Sequence, residues 1–207
     1  MHDRQESKQK PAGGASTTRS AGTQQTAPFQ SVPRVLWLTG LSGAGKSTVA
    51  RKLAAHLRGS GCPTVFLDGD DVRLAVADSH IGHDRDSRLI NAMRICRLAK
   101  LIAEQGFTVV VATMSMFREV YSWNRENQPG YFEVLIRVRL EVLQGRDARG
   151  LYSRAARGEV RHVVGVHLPY DEPEGPDLVL INEGPESELI SLVDTIQSTL
   201  QHRFQNA

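Results

Sequence analysis

The sequence predicts an α/β domain, a parallel β-sheet with helices on both faces, and three observations predict it. Short runs rich in β-branched residues alternate with stretches of helical period. Most of those runs are apolar throughout, as strands covered on both faces are. The first run breaks into glycines and passes directly into a helical pattern. With 207 residues, 40% of them hydrophobic, the chain can build one sizeable core and little besides.

Residues 1–33 are dominated by Gln, Ser, Thr, Gly, Ala and Pro, with Phe29 as their only aromatic. So little apolar surface does not offset the entropy of ordering, so a disordered tail is expected there and one folded domain over residues 34–207. Val35–Thr39 opens the domain as a strand, and Lys46–Leu57 follows as a helix. The next strand is Thr64–Leu67, then a helix over about Asp86–Gln105, a strand at Thr108–Ala112 and a weaker helix after Phe117. Tyr131–Val138 reads as a strand, a helix runs from Leu140 towards Ala148, and Asp177–Ile181 is the last strand. After Pro185, Leu189, Leu192, Val193, Ile196 and Leu200 recur at helical spacing, an amphipathic face suited to packing. No internal repeat is present.

Charge and composition exclude several classes. The formal net charge is +2, and the tail's Arg4, Lys8, Lys10 and Arg19 against Asp3 and Glu6 account for all of it. The folded part is balanced, without the basic excess of a nucleic-acid binder. Cys62 and Cys96 are too few for a disulfide framework or a zinc cluster and read as small core residues, which suits a reducing cytoplasm. The tail has no apolar segment of a secretory signal, and no run reaches the ~18 apolar residues of a membrane span. A soluble cytoplasmic protein without nucleic-acid or membrane partners is expected, and a homodimer is left open.

The stretch VLWLTGLSGAGKST carries the chemistry. Gly40-x-x-x-x-Gly45-Lys46-Ser47 matches the phosphate-binding loop pattern in its required context, after a strand and opening a helix. Gly40, Gly43 and Gly45 let the backbone curl so that successive N–H groups converge on phosphate oxygens, and the helix N-terminus adds partial positive charge. Lys46 can reach the β- and γ-phosphates, and the Ser47 hydroxyl can coordinate Mg²⁺. The fold class narrows to the P-loop NTPases, with a nucleoside triphosphate as ligand. The GTPase base-reading pattern Asn-Lys-x-Asp is absent.

The second cluster is LDGDDVR, where Asp68, Asp70, Asp71 and Arg73 follow a strand end. Ligands of parallel sheets bind at that edge. Carboxylates there can hold a metal or accept a hydroxyl proton, and Arg73 can clamp an anionic acceptor. Asp71 reads equally well as the cap of a following helix.

With these motifs in view the chain resembles the adenylylsulfate kinases, which use ATP to phosphorylate the ribose 3′-hydroxyl of adenosine 5′-phosphosulfate in sulfate assimilation. The resemblance covers about Val35 to Val179. It rests on TGLSGAGKST, LDGDDVR, Arg88-x-x-Asn91, AKLIAEQG, Ser115-x-Phe117-Arg118, Arg146-Asp147-x-x-Gly150-Leu151-Tyr152 with Gly158-Glu159, and Pro169-Tyr170-x-x-Pro173. It implies that Gly40, Leu41, Ser42, Gly43, Ala44, Gly45, Lys46, Ser47, Thr48 and Arg146 bind ATP. Asp68 and Asp70 would organise Mg²⁺ and the attacking hydroxyl, with Ser47 and Asp68 as metal ligands. Arg73, Arg88 and Asn91 would hold the acceptor, the last two sharing one helical face. Ser115 matches the serine that the family marks as a phosphoserine intermediate; in-line transfer needs no enzyme nucleophile, so a hydroxyl bonded to acceptor phosphate or backbone is the favoured reading. Residues 146–173 would form a mobile lid.

Departures from the family pattern cluster on the acceptor side. His83, within HIGHDRDSR, stands where the family has Phe, and Val163, within HVVGVHLPY, stands where the lid has another. Those two family rings sandwich the acceptor's adenine, and an aromatic platform contributes ~1–3 kcal/mol per stacked base. Asp71 replaces an Asn, Met116 a Pro, and Ser153-Arg154-Ala155-Ala156 a Lys-Lys-Ala-Arg. The expected activity is therefore adenylylsulfate kinase-like. The alternatives are a related kinase for another hydroxyl acceptor, such as a cytidine diphosphate conjugate or a sugar-like alcohol, and a non-catalytic nucleotide-binding module.

Overall fold

The computed structural model describes residues 33–147 and 150–205. The expected tail falls almost wholly outside these residues; Pro33, its one described member, is buried. The element order is β1 (Val35–Thr39), α1 (Lys46–Gly59), β2 (Thr64–Asp68), α2 (Gly69–Val76), α3 (Arg85–Glu104) and β3 (Thr108–Ala112). Then follow α4 (Arg118–Asn127), β4 (Tyr131–Arg137), α5 (Leu140–Arg146), α6 (Leu151–Ala156), β5 (Leu178–Ile181) and, after a 3₁₀ turn, α7 (Leu189–Gln205).

The five strands form one parallel sheet in the order β2-β3-β1-β4-β5. Side chains of a strand alternate between faces, and β1 shows the consequence. Leu36 and Leu38 enter the core packed with α1 and α7, whereas Val35 and Trp37 enter the core packed with α3 and α4. All four are fully buried, which is why the run is apolar without alternation. Among the described residues no helix is long and apolar enough to cross a membrane.

Two elements were not expected. α2 begins on Gly-Asp-Asp, residues that favour turns, and its cap is Asp68 instead of Asp71: the Asp68 carboxylate accepts from the N–H of Asp70 at 2.9 Å. Asp71 is exposed within the helix's first turn. α6 has only six residues, too few to show a 3.6-residue period. α5 stops at Arg146, where Asp147 turns left-handed with φ 34° and its N–H closes on Leu143 O at 2.9 Å.

Because the strands are parallel, their carboxyl ends share one edge. Gly40, Gly69, Thr113 and Asn182, each one residue past the end of β1, β2, β3 or β5, all lie along it.

Candidate active site

The phosphate loop is shaped by two positions that admit only glycine. Gly40 has φ 144°, and a methyl added there would stand 2.3 Å from the carbonyl oxygen of Ile136 on the neighbouring strand. Gly45, with φ 91°, ends the loop, and a methyl there would meet Asn182 Nδ2 at 2.8 Å. Gly45 is also the N-cap of α1, so no side chain caps that helix, and its first turn carries no acidic residue. The uncapped N–H groups therefore open towards an anion.

Three carbonyls of the loop each accept a hydrogen bond from a side chain. Lys46 Nζ donates to Leu41 O at 2.8 Å, the Tyr152 hydroxyl to Ser42 O at 2.9 Å, and Asn182 Nδ2 to Ala44 O at 3.0 Å. Lys46 is buried, as is Asn182.

The loop forms part of the wall of a cavity of about 940 Å³, at the upper end of small-molecule clefts. Ser42, Gly43, Gly45, Lys46, Ser47 and Thr48 line it, with Arg146 beside them. Arg146 donates to Gly184 O at 2.7 Å and so pins the loop that follows β5. Gly40, Leu41 and Ala44 shape the loop without lining the cavity.

Asp68 and Asp70, at the end of β2 and the start of α2, also line the cavity. Ser115 lines it from the segment beyond β3, the strand between β2 and β1, and its buried hydroxyl is 2.7 Å from that of Thr113. That partner is a side chain, where backbone or acceptor was expected. Gly69 allows the crossing, since a methyl there would stand 2.8 Å from Thr113 Oγ1.

Arg73, Arg88 and Asn91 line the cavity as well, together with His83 and Val163. Arg73 Nη1 donates to Gly82 O at 2.8 Å, and Arg88 Nε to His83 O at 2.7 Å, so two guanidiniums hold the loop that presents His83. Arg88 Nη2 also reaches His162 O at 3.2 Å. Burial, then the like charge of Arg73, lowers the Arg88 pKa, which a guanidinium absorbs without losing its proton. Desolvation, followed by Arg73 and Arg88, lowers the pKa of His83 against the pull of Asp70, so its imidazole is neutral at pH 7. Val163 reaches the cavity wall but is only 4% exposed and packs in the core, so it gives little open surface there.

Sequence reasoning passed over four contributors. Asn182 is a polar residue one step past a parallel strand, a detectable signal. Tyr152 stood in a recognised motif without a role. Phe117 lines the cavity with the Arg85 guanidinium 5.5 Å from its ring centroid, a pairing that no spacing announces. Thr113 became visible only with its partner Ser115.

Among the described residues no cluster of three His, Cys, Asp or Glu could hold a metal by itself. The site instead offers the Ser47 hydroxyl and the Asp68 carboxylate. That sparse oxygen set fits Mg²⁺, which keeps several waters and takes further oxygens from phosphate.

The sequence model of the adenylylsulphate kinase family matches residues 32–181. A probable adenylyl-sulfate kinase of Bacillus subtilis is 43% identical over 148 residues, covering 70% of this chain and 75% of that protein. A cytidine diphosphoramidate kinase of Campylobacter jejuni is 39% identical over 150 residues, covering 72% and 86%. The solved structure of the Mycobacterium tuberculosis APS kinase CysC in complex with AMPPNP and APS superposes with a TM-score of 0.74 at 30% identity, over 82% of this chain and 98% of that one. With the phosphate loop, the parallel sheet and these likenesses in agreement, the chain belongs to the adenylylsulphate kinase family of P-loop kinases.

Proposed function

We propose that the protein transfers the γ-phosphoryl group of ATP to the 3′-hydroxyl of adenosine 5′-phosphosulfate. The observation that carries the reading is one cavity lined by the phosphate loop, by Asp68 and Asp70, and by the basic set Arg73 and Arg88 with Asn91. Similarity to adenylyl-sulfate kinases over most of the chain supports it.

In this reading the N–H groups at the start of α1 and the Lys46 ammonium bind the ATP phosphates, and Lys46 leaves Leu41 O to do so. Ser47 and Asp68 would hold Mg²⁺, which when bound neutralises charge developing on the phosphoryl oxygens. Asp70 orients the acceptor hydroxyl and takes its proton as the oxygen attacks in line. Arg73, Arg88 and Asn91 grip the acceptor's phosphosulfate and ribose, and Arg146 faces the donor nucleotide. No covalent enzyme intermediate is needed, and Ser115 serves as a hydroxyl contact.

A second reading is favoured by one feature: neither His83 nor Val163 is a flat hydrophobic ring, and Val163 is buried. A smaller acceptor base, as in a cytidine diphosphate conjugate, suits that part of the cavity, and the Campylobacter relative acts on such a compound by its name. Coupled ADP release with each acceptor alone separates the two. The first reading expects turnover with adenosine 5′-phosphosulfate; turnover with the cytidine compound alone would overturn it.

A further inference from the structure

A trans peptide points its carbonyl and the next residue's N–H in opposite directions. Whatever fixes an outward carbonyl of the phosphate loop therefore aims an N–H inward. Tyr152, which does not line the cavity, fixes Ser42 O, and Asn182 holds Ala44 O. The Ser42–Gly43 peptide is thus held from α6, and its inward N–H belongs to Gly43, which lines the cavity.

The Tyr152 hydroxyl is well placed to stay in position. Its backbone N–H donates to Asp147 Oδ1 at 2.7 Å, fixing the start of α6, and its side chain is buried. Burial first, then the charge of Asp147, raises its pKa, so the hydroxyl keeps its proton and remains a donor. A second contact reaches the same loop independently. A methyl built on Gly165, whose φ is 83°, would stand 3.5 Å from Leu41 Cδ2, so the turn at residues 163–168 sits on the loop residue preceding Ser42.

We propose that Tyr152 is a positioning residue that couples α6 to the phosphate loop. Its hydroxyl turns the Gly43 N–H towards the donor phosphates and seats α6 on the loop through one bond. Donor binding and the seating of α6 are then linked. The inference rests on the kinase reading of the site, but not on the acceptor's identity.

The test compares Tyr152→Phe with Asn182→Ala by calorimetric ATP titration and by trypsin cleavage after the exposed Arg154, Arg157 and Arg161. Loss of one neutral hydrogen bond predicts ATP binding about three- to tenfold weaker in both variants. Only Tyr152→Phe should also be cut faster between residues 154 and 161 in the ligand-free chain, and the ATP analogue AMPPNP should slow that cut in the unsubstituted protein but not in this variant. Coupling is overturned if Tyr152→Phe changes one readout without the other, or if AMPPNP leaves the unsubstituted protein's cleavage unchanged. That last measurement stands even if the variant does not fold. Failure to phosphorylate adenosine 5′-phosphosulfate would defeat the proposed function and leave these readouts intact.

Discussion

Arg88 Nε lies 2.7 Å from the carbonyl oxygen of His83, so the guanidinium holds in place the loop that presents the imidazole to the cavity. The same side chain reaches His162 O, from a segment 74 residues further on. Arg88 thereby joins the two segments that carry the departures from the family pattern. Truncation to Ala should raise the acceptor KM at least about tenfold, the cost of hydrogen bonds from a charged group. The ATP KM should stay within twofold. Arg88→Lys should rescue little, because an ammonium lacks the planar fork that spans two carbonyls. Wild-type acceptor KM in Arg88→Ala would contradict the role.

His83→Phe tests the missing platform. The residue is exposed to the cavity, so a ring fits there without repacking, and stacking of ~1–3 kcal/mol should lower the KM for adenosine 5′-phosphosulfate by roughly tenfold. Val163→Phe is a different case. Val163 is buried beside the other core residues, and an inserted ring costs about 1–3 kcal/mol by overpacking. The double variant should therefore melt lower than His83→Phe without further gain in KM. A rise in KM on His83→Phe would indicate that Phe117 or another side chain already supplies the surface.

The strands were legible because a strand buried on both faces is apolar along nearly its whole length, as Val35–Leu38 and Val109–Ala112 are. α2 was not, because Gly69, Asp70 and Asp71 carry turn preferences that packing of Val72 overrides. The Asp68 cap followed from where β2 ends, one residue later than its apolar run suggests. Lys46, Ser47 and Arg73 stand out in the sequence as candidate chemistry, whereas Asp68 also has a structural task as the cap of α2. The partners of the loop carbonyls, Tyr152 and Asn182, lie over 100 residues away in sequence, and only the fold brings them to the loop.

Gly40→Ala should unfold the domain or lose several kcal/mol, on the order of 2–4, because the obstacle at 2.3 Å is the backbone carbonyl of Ile136 and φ 144° is closed to other residues. Denaturant titration reads it directly. A variant as stable as the unsubstituted protein would refute the packing described for the loop.

Asp177 contributes to the fold's sensitivity to acid. Burial alone would raise its pKa, but the Glu133 N–H and the guanidiniums of Arg125 and Arg203 outweigh it and hold the carboxyl below its usual value. A depressed carboxylate contributes stability above its unfolded pKa and loses it as pH falls through the folded one. Asp177→Asn should therefore melt below the unsubstituted protein at pH 7, and the gap should close below about pH 4. A gap that widens with acid would reverse the assignment.

The central claim concerns what leaves the cavity. Incubation with ATP, Mg²⁺ and adenosine 5′-phosphosulfate, followed by ³¹P NMR and mass analysis, should give ADP and a 3′-phosphorylated acceptor in equal amounts. Lys46→Ala, still folded, should give neither. ADP without a phosphorylated acceptor, or equal turnover in Lys46→Ala, would contradict phosphoryl transfer through this site.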